Sequence, residues 1–449
     1  MKFLFLILFF ALIISSCGKS PVKIKPPTGN TVIGSVWSGI KQFGQLSSEP
    51  RINAITHDSS GNMYIVVTKY ISNDLPPPDS IIKHEMHLTK LSPSGAIVWT
   101  KVFSVGDFNS FDVPQKSIYV DISGNIYMTF SASGELSQNL PTGNINAYLL
   151  KMNSSGSQTW IKKISPTALS QTMAAGLVID SSGNIAVAGS IVDGSVIGSN
   201  VYGDQDAYVL KFTIDGVNIL SKQITAPTRV TTPVALVIDK SDNLFLVSNE
   251  NRVGVGTDGT VYKFNSSGAL IWKNSIGQNG STLSYISAVI GSAGNIFVVG
   301  NGSGVLNGHA TIGSSDGIIA RITQSGITTF TKSLGNNNST SMYINSIVED
   351  GTYIYLAGYS DGPFTGFSPF GYSDGFLGKY DLSGNKKWLR QIGDVNAVVT
   401  LNCLDILFDS NGKSFLFAGG ETTGALDSNV QSADYDYYVT KYDVFGQKY

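Results

Sequence analysis

The sequence predicts an all-β fold, a seven-bladed β-propeller of four-stranded antiparallel blades in which an N-terminal strand closes the last blade. Two motifs each recur seven times, short apolar runs lie between turn residues, and no helical pattern of useful length follows residue 17. Repeats of several short strands are typical of propellers, because one such unit cannot bury its own apolar faces.

The first recurrent motif is Asp-x-x-Gly-Asn followed by an apolar strand. The aspartate can bond the backbone of the turn and the glycine tolerates a positive φ, so the motif predicts a tight turn between two strands. Its fourth position falls at residues 61, 124, 183, 242, 294, 352 and 412, and the last four copies are degenerate. Successive copies lie 52 to 63 residues apart, which is enough chain for four short strands.

The second motif is a basic residue, four variable positions and a glycine, with a large apolar residue four positions further on. The basic residues are Lys90, Lys151, Lys211, Lys263, Arg321, Lys379 and Lys441. The apolar residues of the first six copies are Trp99, Trp160, Leu220, Trp272, Phe330 and Trp388, and the seventh copy has none. We interpret the basic residues as forming one ion pair per blade or covering apolar surface, because recurrence in every blade favours a structural role over an anion site.

The motifs divide residues 32–449 into blades. The predicted blades are 52–104, 112–166, 171–225, 231–277, 284–335, 342–393 and 398–449. The last blade lacks a fourth strand, and residues 32–44 resemble the fourth strand at 388–393, so we expect them to supply it through Trp37, Ile40 and Phe43. Trp37 comes two residues early, which we interpret as a bulge that keeps its side chain on the same face.

These motifs resemble the repeats of the bacterial seven-bladed β-propeller repeat (SBBP) family. The best local matches are residues 180–189 (DSSGNIAVAG) and 206–211 (DAYVLK), and the similarity extends over nearly all of 32–449. The fourth and sixth repeats depart most, and the sixth lacks the Gly-Asn pair. The resemblance implies the propeller fold, and it implies no particular activity because the family has no single one.

Residues 1–16 predict a lipoprotein signal peptide. Lys2 precedes twelve apolar residues, which are too few for a membrane span of about 20. The following Ser15-Ser16-Cys17 resembles the bacterial lipoprotein box, which implies acylation of Cys17. Residues 17–31 are rich in Pro and Lys and predict a flexible tether. We therefore expect a lipid-anchored outer-membrane protein, on either the periplasmic or the surface side.

The composition excludes several classes of protein. Charged residues make up 14% of the chain and the net charge is -2, which argues against nucleic-acid binding and against a disordered charged tail. No catalytic or phosphate-binding motif is evident. We interpret Cys403 as a buried hydrophobe. His84-x-x-His87 lacks a cluster of further metal ligands, because the neighbouring Glu85 should point away from the histidines on an alternating strand. We expect a monomer with no cofactor, no metal and no catalytic residues.

Candidate ligand-binding residues lie in the long loops, where function in rigid scaffolds concentrates. The aromatic candidates are Phe364, Phe367, Phe370 and Tyr372. They could stack on a sugar or a peptide, or they could hold their own loop onto the blade. The acidic candidates, Asp206 and Asp436, precede third strands. They could bind a ligand or calcium, or they could cap turns and strands.

Three functions are compatible with the sequence. We predict a non-catalytic binding or scaffold protein of the cell envelope that uses its long-loop face to bind a protein or a glycan. The first alternative is a glycan hydrolase or lyase that uses loop carboxylates, namely Asp204, Asp206, Asp434 and Asp436. The second alternative is an envelope-protein assembly factor that receives a client at an exposed strand edge.

Overall fold

The computed structural model describes residues 37, 39–44, 48–72, 82–104, 110–133, 145–165, 170–196, 205–225, 229–252, 255–277, 280–335, 340–363, 367–409, 412–431 and 434–449. Within these ranges the chain forms β-strands and one short 3-10 turn. The strands follow the sequence repeats closely.

Strand β1 (Lys41–Phe43) precedes the first repeat. The first repeat contains β2 (Ser48–His57), β3 (Met63–Ser72), β4 (Ile82–Leu91) and β5 (Ile97–Ser104). The second contains β6 (Phe111–Asp112), β7 (Ile118–Val120), β8 (Ile126–Ser133), β9 (Ile145–Met152) and β10 (Gln158–Ile164). The third contains β11 (Gln171–Ile179), β12 (Ile185–Val192), β13 (Asp206–Phe212) and β14 (Asn218–Ile224).

The fourth repeat contains β15 (Arg229–Ile238), β16 (Leu244–Arg252), β17 (Gly256–Phe264) and β18 (Leu270–Ile276). The fifth contains β19 (Thr282–Ile290), β20 (Ile296–Ser303), β21 (Val305–Leu306), β22 (His309–Ala310), β23 (Asp316–Ile322) and β24 (Thr328–Ser333). The sixth contains β25 (Met342–Glu349), β26 (Tyr353–Ser360), β27 (Asp374–Asp381) and β28 (Lys386–Ile392). The seventh contains β29 (Val399–Phe408), β30 (Ser414–Thr422), the 3-10 turn Leu426–Ser428 and β31 (Asp436–Asp443).

Each repeat is an antiparallel meander of neighbouring strands. In the second repeat, β6 and β7 both pair with β8, so together they form an interrupted first strand. A single parallel pairing, Thr257 opposite Thr282, joins the fourth and fifth meanders into one sheet. Strand β1 pairs with β31, so the sheet of the seventh repeat contains β29, β30, β31 and β1.

The first strands of the repeats contact one another in a closed order. Contacts run from β2 to β7, β11, β15, β19, β25 and β29, and β29 contacts β2 again. Most apolar side chains of these strands and of the second and third strands are almost fully buried. They fill the space between successive sheets, as expected for strands that are apolar on both faces.

The Asp-x-x-Gly-Asn turn is held by its own side chains. In the first copy, one Asp58 oxygen accepts hydrogen bonds from the backbone N–H groups of Ser60 (3.0 Å) and Asn62 (2.9 Å). The Asn62 amide donates to the same carboxylate, and the Tyr64 hydroxyl donates to it over 3.1 Å. The constant spacing within the motif therefore follows from the reach of one carboxylate.

The recurrent basic residue lies between two rings in most repeats. Lys90 is opposite Tyr64 on one neighbouring strand and opposite Trp99 on the other. Its ammonium lies 5.0 Å from the Tyr64 ring centroid and 3.3 Å from Asp58. In the third repeat no ring is present, because Ala186 is opposite Lys211, and there the ammonium lies 2.5 Å from Asp180. The basic residues thus combine ion pairing with coverage of apolar surface.

Strand β1 has the register of a fourth strand. Gln42 is opposite Tyr438, just as Gln391 of the sixth repeat is opposite Phe376. Ile40 is buried, and the Phe43 ring stacks on Tyr437 with centroids 5.1 Å apart. Residues 32–36 of the predicted closing strand lie outside the described residues.

Trp37 precedes β1 and packs like the tryptophans of true fourth strands. It is 1% exposed, and its ring meets Phe417 edge-on at 5.5 Å, comparable with the 6.0 Å between Trp99 and Tyr64. A Cβ at Gly95 would lie 2.9 Å from the Trp37 ring, so the next turn must have a glycine there, at φ +84°. Trp37 comes two residues earlier in the sequence than the corresponding tryptophans of fourth strands, yet its ring occupies the equivalent position.

Candidate functional site

The candidate residues lie at one end of the sheets. Because neighbouring strands are antiparallel, the Asp-Gly turns and the basic-residue turns share one end, which we call the turn end. The connections between second and third strands and between repeats share the opposite end, which we call the loop end. Asp206 and Asp436 begin third strands and therefore lie at the loop end, as do the described aromatic candidates Phe367, Phe370 and Tyr372.

The recurrent aspartates are paired with side chains of the fourth strand. Asp206 and Asp436 are 1% and 0% exposed. The amide of Gln223 donates to Asp206 over 2.7 Å, and the amide of Gln42 donates to Asp436 over 2.7 Å. In the fifth repeat the Ser333 hydroxyl bonds to Asp316. These contacts fit the interpretation of the aspartates as caps that fasten the loop end of each sheet.

The carboxylates that the sequence suggests for a glycan enzyme come from two different repeats. Asp206 belongs to the sheet of the third repeat and Asp436 to that of the seventh. Asp434 is exposed at the loop end, and Asp204 lies outside the described residues. Each of the two described buried carboxylates is thus engaged by a glutamine of its own sheet.

The aromatic loop of the sixth repeat presents its rings to solvent. Phe367, Phe370 and Tyr372 are 40%, 54% and 70% exposed, and Phe364 lies outside the described residues. Backbone groups hold the loop in place: the N–H of Phe370 donates to Asp374, and the N–H of Tyr372 donates to the carbonyl of Ala397 over 2.8 Å. The described rings are therefore available to a partner.

The fourth repeat has an ionic network that the sequence analysis missed. Glu250 is 0% exposed and lies 3.0 Å from Arg229 and 2.7 Å from Lys273, and the Tyr262 hydroxyl bonds to it. Arg229 also pairs with Asp258. This ion pair takes the place of the Asp–Gln hydrogen bond found in other repeats. Burial alone would raise the pKa of Glu250, but the hydrogen bonds from Lys273 and Tyr262 lower it. A fully paired network of this kind fastens the loop end without a long loop.

A second group that the sequence analysis missed surrounds Arg51 of β2. The guanidinium interacts electrostatically with Asp112, Tyr359 and Glu421, which belong to three other repeats. Arg51 and Asp112 are both exposed, yet the surrounding protein desolvates Asp112 and raises its pKa. The carboxyl of Asp112 is therefore accessible to solvent and at the same time largely surrounded by protein atoms. We call Arg51, Asp112, Tyr343, Tyr359 and Glu421 the axial cluster.

Glu421 occupies a strand position at which other repeats have an uncharged hydrogen-bond acceptor. Its carboxylate accepts the N–H of Ile52 across the contact between the seventh and first repeats, over 3.2 Å. Asn249 accepts the N–H of Tyr285 in the same way, and Asn301 accepts that of Ile344. Burial raises the pKa of Glu421 to about 7. An alignment of the repeats would have revealed this single acidic member.

The side chains of His84 and His87 contact different residues. His87 lies 2.7 Å from Glu85, whereas His84 packs edge-on against Tyr70 with centroids 3.9 Å apart. Residues three apart on a strand point to opposite faces, while residues two apart share a face. Our expectation that Glu85 points away from both histidines was therefore wrong. Among the residues placed by the structure, no group of three potential metal ligands occurs.

The remaining candidate residues of the sequence are the two cysteines. Cys403 is buried among apolar residues as a free thiol. Cys17, with the whole predicted signal peptide and tether, lies outside the described residues. The part of the chain that the structure describes has no helix with the length and apolar character needed to cross a membrane.

Comparisons with known proteins place this geometry beside several solved structures. The polysaccharide lyase Uly1 is 10% identical, with a TM-score of 0.47 and 96% of each chain covered. The β-propeller domain of the Trilobed protease from Pyrococcus furiosus is 7% identical, with a TM-score of 0.47, and 89% of this chain and 97% of that chain are covered. A protein of unknown function from Dyadobacter fermentans DSM 18053 is 12% identical, with a TM-score of 0.45 and coverages of 75% and 98%.

No protein-family model matches the chain, and no curated protein matches it. The similarity to SBBP repeats therefore stays a prediction from the motifs. The strand topology defines the class of protein, an all-β protein of repeated four-stranded antiparallel sheets.

Proposed function

We propose that the seven repeats are the blades of a closed seven-bladed β-propeller. The order of contacts among the first strands supports this proposal, because it returns to β2 after seven strands. The packing of Trp37 on Gly95 adds support, because it repeats the contact between Trp99 and Gly156 at the junction of the last and first repeats. Electron micrographs viewed along the axis should show seven lobes, and six or eight lobes would contradict the proposal.

We further propose that the protein is a non-catalytic binding protein of the cell envelope. The observation that carries this proposal is the exposure of Phe367, Phe370 and Tyr372 at the loop end. Exposed aromatic rings on a rigid scaffold are typical of surfaces that bind a protein or a glycan. The buried carboxylates Asp206 and Asp436 are engaged with glutamines, which favours binding over acid–base chemistry.

The test is co-purification of partners with the full-length protein extracted from its own membranes. A variant with Phe367, Phe370 and Tyr372 all changed to Ser should lose the bound partner. A matched control changes three exposed apolar residues of the turn end, Val98, Ile271 and Ile327, to Ser and should keep it. Retention of the partner by the loop-end variant would contradict the proposal.

We propose that acylation of Cys17 anchors the protein to the outer membrane. The short apolar segment and the Ser-Ser-Cys sequence support this, because acyl chains bind bilayers through about 0.8 kcal/mol per buried methylene. Cys17→Ser should move the protein from the membrane fraction to the soluble fraction. Cys403→Ala is the control, because it removes the other cysteine, and should leave the protein in the membrane fraction.

The assembly-factor alternative is less favoured because the outer strands carry lysines. Lysines occur on β1, β5, β10, β14, β18, β24 and β28, at positions that include Lys41, Lys101, Lys162, Lys222, Lys273, Lys332 and Lys386. Lysine on an edge strand discourages pairing with another chain. Pairing of a client strand with any blade would therefore remove lysine ammonium groups from water, which is unfavourable.

A further inference from the structure

The axial cluster gathers side chains from four repeats. Arg51 belongs to the first repeat, Asp112 to the second, Tyr359 to the sixth and Glu421 to the seventh. The first repeat contacts the second and the seventh, whereas the sixth lies beyond the seventh in the order of first-strand contacts. An arginine that interacts with groups from all of these repeats therefore projects toward the middle of the closed order of first strands.

An aromatic surface flanks the guanidinium. Tyr343 and Tyr359 are opposite each other on β25 and β26, and their rings stack with centroids 4.8 Å apart and planes 23° apart. Both side chains are half-buried, so part of each tyrosine is accessible to solvent. Tyrosines with one wet edge present an apolar face and a polar hydroxyl, a combination that suits the C–H and O–H groups of a sugar ring.

The net charge of the axial cluster depends on whether Glu421 is protonated. Burial raises the pKa of Glu421 to about 7, although Arg51, the N–H of Ile52 and Asn402 all act to lower it. Other ionisable groups that interact with Glu421 are the hydroxyls of Tyr359 and Tyr438. Asp112 interacts with Arg51, and burial raises the pKa of Asp112 as well. Near neutrality Glu421 is therefore protonated in part of the molecules and can then donate a hydrogen bond beside the guanidinium.

We propose that the axial cluster binds a sugar residue that carries a carboxylate. Arg51 pairs with the ligand carboxylate, since a guanidinium matches a carboxylate with two parallel hydrogen bonds. Protonated Glu421 donates a further hydrogen bond, and the tyrosine pair contacts the ring of the sugar. This inference rests on the proposed binding function and assigns it an acidic glycan as one ligand, bound by residues other than those of the aromatic loop.

The protonation of Glu421 predicts how the affinity for the ligand changes with pH. A group with a pKa of about 7 is about 90% protonated at pH 6 and about 10% protonated at pH 8. Ionised Glu421 repels the ligand carboxylate, so the affinity should fall about tenfold between these pH values. Glu421→Gln keeps a hydrogen-bond donor that does not titrate, so the variant should bind equally well at both pH values.

The experiment is titration calorimetry with the full-length protein in detergent, using a tetragalacturonate as the probe and a neutral tetragalactoside for comparison. We expect binding of the acidic probe, at least tenfold weaker binding of the neutral one, and uptake of a proton at about pH 8 that Glu421→Gln abolishes. Arg51→Gln should lower affinity at least tenfold, and Arg51→Lys should lower it by less. Lys386→Gln, an exposed change on an outer strand, should have no effect.

Three results would overturn the inference: equal affinity for both probes, unchanged affinity in a folded Arg51→Gln protein, or no binding of tetragalacturonate at millimolar concentration. Preferential binding of an acidic peptide would also overturn it, because the sugar ring would then contribute nothing. The co-purification test of the aromatic loop is independent of these measurements. If a partner depends on Phe367, Phe370 and Tyr372 while tetragalacturonate does not bind, the binding function stands and this inference fails.

Discussion

The side-chain amide of Gln42 donates a 2.7 Å hydrogen bond to the carboxylate of Asp436, across 394 residues of sequence. Gln223 and Asp206 make the same contact 17 residues apart within the third repeat. The N-terminal segment thus uses a side chain in the same way as an ordinary fourth strand. The two ends of the described chain are therefore joined by the same Gln–Asp hydrogen bond that fastens the third repeat internally.

Gln42→Ala should destabilise the protein by about 1–3 kcal/mol, because it removes a hydrogen bond to a buried carboxylate. Gln223→Ala should cost a similar amount if the two strands are equivalent. Urea unfolding measures both values. Gln158→Ala is the control, since Gln158 is exposed, and it should change the free energy of unfolding by less than about 0.5 kcal/mol. A negligible effect of Gln42→Ala would mean that β1 contributes little to stability.

Trp37→Ala should lower the free energy of unfolding by about 3–5 kcal/mol, the range for removing a fully buried large side chain. The loss arises because the ring fills the space between Phe417 and Gly95. Thermal and urea unfolding of the full chain are the measurements. Ile122→Ala, at an exposed apolar residue, is the control. A variant that unfolds like the parent would show that Trp37 does not hold the junction.

Stability should decline as pH rises from about 4 to about 7 because of Glu421. The pKa of its carboxyl is about 7 in the folded protein and about 4.3 when unfolded, so the folded state binds more protons in this window. The contribution is fully present below about pH 4 and is lost above about pH 7, with a size of about 2 kcal/mol because the group is partly exposed. Glu421→Gln should therefore match the parent at low pH and exceed it at about pH 8; a parallel pH profile would contradict the assignment.

Glu250 should give the opposite dependence. Lys273, Tyr262 and Arg229 lower the pKa of Glu250 below its ordinary value, so its contribution is present above about pH 4.3 and is lost as the pH falls further. Glu250→Gln should cost about 1.5–3 kcal/mol at neutral pH, because it weakens charge-assisted hydrogen bonds to a buried carboxylate, while the partly exposed Arg229 and Lys273 remain hydrated. The exposed Glu49→Gln serves as the control. Equal unfolding midpoints for the two variants at neutral pH would contradict this account.

Local chemistry explains why some features were predictable. The Asp-x-x-Gly-Asn turns could be predicted because a carboxylate within one turn binds the turn's own backbone, as Asp58 does. The expectation of paired basic residues followed from their recurrence. The direction of Glu85 was misjudged, because strand geometry puts it on the face of His87. The network of Glu250 escaped notice, because its partners Arg229 and Lys273 lie on other strands of the same sheet.

The amino-acid sequence alone determined the repeat length, the turns and the resemblance of the N-terminal segment to a fourth strand, because each depends on residues close together in the chain. The tertiary structure alone decided which side chains form the axial cluster. Arg51, Asp112 and Glu421 come from different repeats, and their proximity follows from how the sheets of those repeats pack against one another. Burial, which sets the proton affinity of Glu421, is likewise a property of that arrangement.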